Sequence, residues 1–386
     1  MITKVICWHL LLFLPFTVSA QKKLNQLAAR ELRPVTFSLS EVMLHDVANP
    51  PAASRFYAYC LLAGYETMAL YEPAYPSLHG RLNDFPLISL PISSDSVYYP
   101  FAALWAVLET GKGIMPSGYQ LADKKAALEQ EFRKKGLDEN RINGSKSMAR
   151  AVAAAVLACA KADGYAELTA MDRFRPSAIP GTWALTPPDR MAAIEPNWNK
   201  LRPFLLDSAR LCRLADPVPF DTARGSRFFE LLREVYDTDK NQPAEQADIA
   251  NYWDCNPFAV YHSGHLGIGL KNISPAGHWI NIAGQACEQQ KLPFAEALRA
   301  QTWTALADAF IACWDEKYRC NRVRPVTAIN RYLDPNWEPL LQTPPFPEYP
   351  SGHSTASAAA AEVLTYLLGD NVAFTDATEV LYGMKP

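Results

Sequence analysis

Long apolar segments are rare in this chain of 386 residues. Beyond the N-terminus, no stretch reaches the ~18 uninterrupted apolar residues of a membrane-spanning helix, which excludes a transmembrane span in the mature chain. An excess of basic charge is also lacking, because 37 Lys and Arg face 40 Asp and Glu and the formal net charge is −3. Nucleic acid is therefore not expected as a partner, and any positively charged site must be local.

Closely paired cysteines and alternating strand patterns are equally scarce. The eight cysteines are widely spaced and include no CxxC pair. We predict that most of them are buried small hydrophobic residues, and one or two disulfides remain open. Because few alternating polar and apolar runs are bounded by turns, β-structure is predicted to be minor.

The apolar residues that are present recur mostly at helical spacing, which predicts an all-α fold. The first such pattern, over residues 40–71, is broken by Pro50-Pro51, since proline interrupts a helix interior. Further helices are predicted within four ranges: 117–136, 145–165, 225–238 and 293–319.

We divide the chain into four regions. Residues 1–20 combine a basic start, an apolar run and small final residues, which is typical of a secretory signal peptide. We therefore expect export to the periplasm or beyond the cell; a retained N-terminal anchor is the alternative. Residues 21–172 form an N-terminal helical region, and the proline- and aromatic-rich residues 173–204 either link two helical halves or wrap over one. Residues 205–386 form a C-terminal helical region that is predicted to bind an oxyanion.

A proline-rich loop over residues 332–350 leads into Ser351-Gly352-His353, where an alanine-rich helix begins. Ser351 is a favourable N-cap, and Gly352 permits close approach to the backbone. The unpaired amides at a helix start suit an oxyanion, and His353 can donate a proton to a leaving oxygen. Alone, this tripeptide is equally compatible with a simple helix cap followed by a solvated histidine.

Two cations lie upstream in the sequence KYRCNRVRP, which covers residues 317–325. Lys317 and Arg324 are seven residues apart, so on a continuous helix they would share a face, about 10 Å apart at Cα. We expect Pro325 to end that helix near Arg324. Paired ammonium and guanidinium groups suit a tetrahedral anion, although the cationic end of an ordinary helix would have the same sequence.

The combination KxxxxxxRP…PSGH resembles the paired signature of the acid phosphatase/vanadium haloperoxidase superfamily. The residues that carry this match are Lys317, Arg324, Pro325, Pro350, Ser351, Gly352 and His353. Trp314 and Phe346 resemble the aromatic pair near the oxyanion pocket of vanadium chloroperoxidases. Residues 305–375 are the most similar part, and they resemble the soluble, exported bacterial branch.

The resemblance implies a fold of helical bundles and a role for each matched residue. Lys317, Arg324, Ser351 and the amide of Gly352 would hold vanadate or phosphate oxygens, and His353 would act as general acid or base. The implied function is a vanadium-dependent haloperoxidase that uses vanadate, peroxide and halide. The alternatives are a phosphatase that takes a phosphate ester in the same pocket without a cofactor, and an inactive helical binding protein.

The third motif of the superfamily, SRxxxxxH, does not occur in this sequence. Neither Ser54-Arg55 nor Ser226-Arg227 is followed by a histidine at the required spacing. That motif supplies a second arginine and the histidine that ligates vanadium or attacks phosphorus. We therefore expect a truncated chain, or the product of an interrupted gene, that binds an oxyanion weakly and turns over little.

Three histidines near Asp254 form a possible metal site: His262, His265 and His278. An HxxH spacing can place two ligands on zinc, but the glycines around it favour a loop. We predict that no metal is bound there and that these histidines pack in loops near the mouth of the pocket.

Overall fold

The computed structural model describes residues 3–90, 94–263, 266–269, 272–302 and 304–386, with side chains from residue 21 onward except at 94, 261–263 and 266–268. The described residues include twelve α-helices and one short antiparallel hairpin. Their bounds are α1 Thr3–His45, α2 Pro50–Ala69, α3 Tyr99–Ile114, α4 Ala122–Lys134, α5 Glu139–Lys161, α6 Arg227–Asn241, α7 Ala244–Tyr252, β1 Val260–Ser263, β2 Leu266–Gly269, α8 Pro275–Gln289, α9 Phe294–Gln301, α10 Thr304–Cys320, α11 Pro325–Tyr332 and α12 Gly352–Leu368.

The helix boundaries follow local rules that the sequence shows. Helix α1 ends at His45, and α2 begins at Pro50, whose fixed φ and missing N–H suit a first helical position. Asn49 caps α2 by accepting a hydrogen bond from the amide of Ala52 at 2.9 Å. Helix α4 stops just before Gly136, which has a φ of +93° that favours glycine. The all-α prediction is confirmed, with the β1–β2 hairpin as a minor exception.

The main core spans both predicted helical regions. Helix α2 is buried along nearly its whole length and packs against α3, α5, α8, α9 and α10. A smaller apolar cluster lies between α6 and α11 and includes Phe228, Leu232, Ile329 and Trp337. Helix α10 packs against both α2 and α12, so the elements that carry the candidate site residues are fixed to the main core. The division at residues 173–204 stays a prediction.

Residues 173–204 contact the C-terminal helical region as well as the N-terminal one. This segment contains no α-helix and one short 3-10 turn at Trp198–Lys200. Its backbone pairs with the turn between α10 and α11: the amide of Trp183 donates to the carbonyl of Asn321, and the amide of Val323 donates to that of Gly181, both at 2.9 Å. The connector therefore fixes the segment that leads into Arg324.

The end of the connector is attached to α10 by one buried carboxylate. Asp308 accepts hydrogen bonds from the amides of Phe204, Leu205 and Leu206 at 2.6, 2.7 and 3.0 Å. We expect Asp308→Asn to lower the free energy of unfolding by about 1–2 kcal/mol, because one accepting oxygen becomes an NH₂ donor that faces backbone donors. Urea unfolding measures this change, and the exposed Asp172→Asn is the matched control. An unchanged midpoint for Asp308→Asn would show that the attachment is dispensable.

The described cysteines mostly match their predicted burial. Cys60, Cys159, Cys255, Cys287 and Cys313 are buried, Cys320 is partly buried and Cys212 is exposed, and all seven are free thiols. Within the described ranges, every helix is too short or too polar to cross a bilayer. The first two residues of the predicted signal peptide, and the side chains up to residue 20, lie outside what the structure describes.

Candidate oxyanion site

The start of α12 has the predicted capped geometry. Ser351 has extended backbone angles (φ −68°, ψ 120°), and its Oγ accepts a hydrogen bond from the amide of Ser354 at 3.1 Å. Helix α12 begins at Gly352, so the amides of Gly352 and His353 have no intrahelical acceptor. The predicted N-cap is confirmed, and His353 lies in the first turn of the helix.

Lys317 and Arg324 do not share a helix, which corrects the sequence prediction. Helix α10 ends at Cys320, and Asn321 turns the chain with a φ of +46°. Arg324 is the extended N-cap of α11, and Pro325 is the first residue of that helix rather than the end of the preceding one. Proline disfavours helical angles in the residue before it but is well suited to the first helical position. The turn, not helical periodicity, brings the two cations together.

The ammonium group of Lys317 is almost fully buried, at 1% exposure. Its Nζ donates to the carbonyls of Pro347 and Glu348, both at 3.1 Å, and to that of Pro350. The lysine is thereby fixed to the loop that enters α12. Burial lowers the pKa of Lys317 to about 7, and the positive charge of Arg324 acts in the same direction. The charge on this group therefore changes near neutral pH.

The guanidinium of Arg324 has a hydrogen-bond partner at Nε but none at Nη2 among the described residues. Its Nε donates to the carbonyl of Phe346 at 2.7 Å. Its Nη2 is buried and has no hydrogen-bond partner among the described residues. Burial lowers the pKa of Arg324 to about 10, so the group stays charged at neutral pH. A buried charged donor without an acceptor is costly, and an anion in the adjacent cavity would satisfy it.

One cavity of about 420 Å³ contains all of the predicted site residues. Its wall includes Trp314, Lys317, Arg324, Phe346, Ser351, Gly352 and His353. The Phe346 ring lies against both cations, with its centroid 5.0 Å from the Nζ of Lys317 and 4.8 Å from the Cζ of Arg324. The Trp314 and Phe346 rings are in contact, with centroids 5.0 Å apart. The aromatic pair thus forms an apolar wall beside the charges, where electrostatic interactions are stronger than in water.

Gly352 lies against the same wall. A Cβ atom at this position would be 3.7 Å from Trp314 Cζ3 and 3.9 Å from Lys317 Cε. The first amides of α12 are therefore next to the buried lysine, at the positive end of the helix dipole. This is the arrangement of cations and N–H donors that a tetrahedral oxyanion requires.

His353 lies at the edge of the cavity, with part of its surface exposed. Its Nε2 is 3.0 Å from the carbonyl oxygen of Trp253, and because a carbonyl only accepts, Nε2 carries hydrogen. Partial removal from solvent lowers the pKa of His353 despite this bond, and the charges of His278 and Lys317 contribute in the same direction. In the neutral ring, Nδ1 is therefore the atom that can accept a proton.

The motifs do not reveal the backbone contacts that support the site. The carbonyl of Ile194, in the connector, accepts hydrogen bonds from Trp314 Nε1 at 3.2 Å and from Tyr318 Oη at 2.6 Å. The amide of Ile194 donates to the carbonyl of Pro345 at 3.1 Å. The carbonyl of Trp253, the residue after α7, is the partner of His353. All of these contacts use backbone atoms, which side-chain identity does not reveal.

The possible zinc site is only partly described. His265 and the side chain of His262 lie outside the described residues. His278 lies in helix α8 rather than in a loop, which corrects that expectation, and it is fully buried with its Nε2 2.7 Å from Asp376. No group of three or more His, Cys, Asp or Glu is placed to hold a metal in the ranges that are described. The predicted absence of a bound metal stays a prediction.

Two substitutions at Ser351 separate its capping role from anion binding. We expect Ser351→Ala to lower the free energy of unfolding by about 1 kcal/mol, because the Ser354 amide loses its acceptor. Ser351→Asp keeps a capping oxygen and should retain stability, but its negative charge should strongly weaken binding of an oxyanion. Thermal unfolding and vanadate titration measure the two effects. Equal vanadate binding by both variants would contradict the placement of the anion beside Ser351.

Two cations facing a capped helix start are suited to bind an oxyanion, and comparisons with known proteins identify the family. The family model of the VCPO second helical-bundle domain matches residues 298–384. The chain is 39% identical in sequence to a bacterial vanadium-dependent iodoperoxidase, with a TM-score of 0.86 and coverage of 92% of this chain and 85% of that one. The chain belongs to the vanadium-dependent haloperoxidases.

A second solved structure supports the fold alone. It is an apo-type bacterial vanadium-dependent chloroperoxidase, with 15% identity, a TM-score of 0.59 and coverage of 83% of this chain and 79% of that one. No curated protein sequence matches the chain. The predicted superfamily is confirmed, and membership implies an enzyme with a vanadate cofactor.

The residues present fit a vanadate ion. Arg324 offers a buried Nη2 that lacks an acceptor, and Lys317, whose three N–H donors are taken by loop carbonyls, adds positive charge when protonated. The backbone at Gly352 is close to both the lysine and the Trp314 ring. Cationic and amide donors of this kind are suited to an anion that carries charge on several oxygens.

Proposed function

We propose that this chain is a vanadate-dependent haloperoxidase in which the cavity between α10, α11 and α12 holds the cofactor. The observation that carries the proposal is the buried Nη2 of Arg324, which has no described partner and lines the cavity with Lys317, Gly352 and His353. Such a group requires an anion or another acceptor. Family membership favours vanadate over a phosphate ester.

The chain's own residues would supply binding and proton transfer. When bound, vanadate activates peroxide for the oxidation of halide. Arg324 and the Gly352 amide would orient the anion, and protonated Lys317 would add a second positive charge. His353 would accept a proton at Nδ1 while its Nε2–H stays bonded to Trp253. Trp314 and Phe346 would exclude water from one side of the cavity.

Halide and location are finer proposals. The similar iodoperoxidase favours iodide as the first halide to test. The signal-like residues 1–20 support export to the periplasm or outside the cell. Peroxide and halide are small enough for the described cavity, and we propose them as the substrates.

Vanadate binding and turnover should be measured separately, because the sequence lacks an SRxxxxxH motif. Equilibrium dialysis with orthovanadate is expected to show one bound vanadate per chain. Triiodide formation from iodide and peroxide is expected to be slow; it should require vanadate and should fall by about 10²-fold or more in His353→Ala. Absence of vanadate binding would refute the proposal. Hydrolysis of a phosphomonoester that depends on His353 and is only inhibited by vanadate would instead favour the phosphatase.

A further inference from the structure

The orientation of His353 depends on the backbone position of Trp253. The imidazole Nε2 donates to the Trp253 carbonyl at 3.0 Å. Trp253 follows the last residue of α7, and its own amide donates to the carbonyl of Ile249 at 3.1 Å. The position of the Trp253 carbonyl therefore depends on how well the C-terminal end of α7 is ordered.

The indole of Trp253 is stacked on a fully buried histidine. Its ring centroid is 4.4 Å from that of His278, and the two planes differ by 7°. His278 has 0% exposure, and its Nε2 is 2.7 Å from the carboxylate of Asp376. Burial opposes ionisation of Asp376, but hydrogen bonds from His278 and Thr378 lower its pKa to about 2. Asp376 is thus an ionised acceptor that fixes the plane of the His278 ring.

Trp279, which follows His278 on α8, connects the same group of aromatic rings to α12. Trp279 Nε1 donates to Ser357 Oγ at 2.9 Å, and the Trp279 ring centroid is 5.9 Å from that of Trp253. Ser357 lies four residues after His353, on the same face of α12. Helix α8 therefore contacts α12 directly through Trp279 and supports the partner of His353 through His278.

We propose that His278 is a positioning residue that acts through Trp253 to orient His353 and to fix its neutral tautomer with hydrogen on Nε2. The inference deepens the proposed function, on which the proton-transfer role of His353 rests. His278 itself does not line the oxyanion cavity described above. The flat ring of His278 sets the position of the Trp253 indole and, with it, the position of the Trp253 backbone carbonyl. That carbonyl accepts a hydrogen bond from His353 Nε2 and so determines which nitrogen of His353 carries hydrogen.

Nitrogen-15 NMR of the histidine-labelled full chain tests this directly, with His353→Gln used to assign the resonances. In the wild type, the neutral His353 ring should be almost entirely the Nε2–H tautomer. His278→Ala removes the stacked ring and should raise the share of the Nδ1–H tautomer several-fold. His278→Phe keeps a flat ring and should restore the wild-type spectrum. Exposed His79→Ala is the matched control and should change nothing at His353.

Unchanged His353 resonances in a folded His278→Ala chain would overturn the inference. If that variant does not fold, Trp253→Leu tests the inference instead. It keeps the backbone carbonyl but removes the ring stacked on His278, and it should produce the same change in the His353 tautomer. These spectra need neither vanadate nor turnover. Failure of vanadate binding would therefore refute the proposed function alone. Where iodide oxidation is measurable, His278→Ala should lower it about tenfold or more, with vanadate affinity within about threefold of the wild type.

Discussion

Replacement of Arg324 by methionine is expected to weaken vanadate binding by about 10²- to 10³-fold. The guanidinium is the donor of the cavity whose Nη2 lacks a described partner, and hydrogen bonds to charged groups contribute about 1.5–3 kcal/mol each. Two such bonds would contribute about 3–6 kcal/mol, and the expected range lies at the lower end of this, since about 1.4 kcal/mol equals a tenfold change in affinity. Methionine keeps a long side chain beside Phe346 and removes a buried charge.

The same variant should be at least as stable as the wild type when no anion is present. Its charge is buried without full compensation, and such groups often destabilise the folded state. Isothermal titration with orthovanadate and urea unfolding give the two quantities. Arg331→Met, on the exposed face of the same helix α11, is the control and should leave both unchanged. Equal vanadate affinity in Arg324→Met and Arg331→Met would contradict the placement of the anion.

Replacement of Lys317 by methionine is expected to lower vanadate affinity and to remove a pH dependence. Burial places the pKa of Lys317 near 7 in the empty site. Below that pH the ammonium is present and attracts the anion. Above it the amine is neutral and must gain a proton when the anion binds, so affinity should fall up to about tenfold per pH unit. Below pH 7, Lys317→Met should bind vanadate about 10²-fold more weakly than the wild type.

Vanadate itself titrates in this pH range, so the quantity to measure is the ratio of the vanadate affinities of the wild type and Lys317→Met. The ratio of wild-type to Lys317→Met affinity should be largest below pH 7 and should decline above it. Lys161→Met, at the exposed end of α5, is the control and should follow the wild type at every pH. A ratio that does not change between pH 6 and pH 9 would show that Lys317 does not titrate on binding. Those pH limits are about one to two units either side of the pKa.

The motifs predicted the site more completely than they predicted its geometry. Ser351 was recognised as a cap because hydroxyl N-caps obey a local rule, and the structure confirms it. The Lys317–Arg324 pair was placed on one helix because a spacing of seven suits both a helix face and a helix–turn–helix junction. Asn321, with a φ of +46°, decides between them. A positive φ at asparagine is uncommon enough that the sequence alone does not indicate it.

Contacts to backbone carbonyls account for most of what the sequence could not reveal. Lys317 donates to three carbonyls of the loop, and Trp314 donates to that of Ile194 more than a hundred residues earlier. Such acceptors exist at every position, so no residue type marks them. The connector was left open between linking and wrapping; its backbone pairs with the α10–α11 turn, and the choice between the two roles stays a prediction.

The sequence predicted minor β-structure but not its position, for a physical reason. The glycines of residues 264–269 favoured a loop, yet Val260–Ser263 and Leu266–Gly269 pair as an antiparallel hairpin. Strand pairing depends on non-local hydrogen bonds that glycine weakens but does not prevent. This hairpin does not alter the prediction of an all-α fold.

A crystal structure of the full chain soaked with orthovanadate tests the central claim most directly. The account predicts a single oxyanion in the cavity of α10, α11 and α12, within hydrogen-bonding distance of Arg324 Nη2 and the amide of Gly352. It also predicts that the anion lies on the side of Lys317 that faces the Phe346 ring. An empty cavity at saturating vanadate, or vanadate bound only at the protein surface, would contradict it.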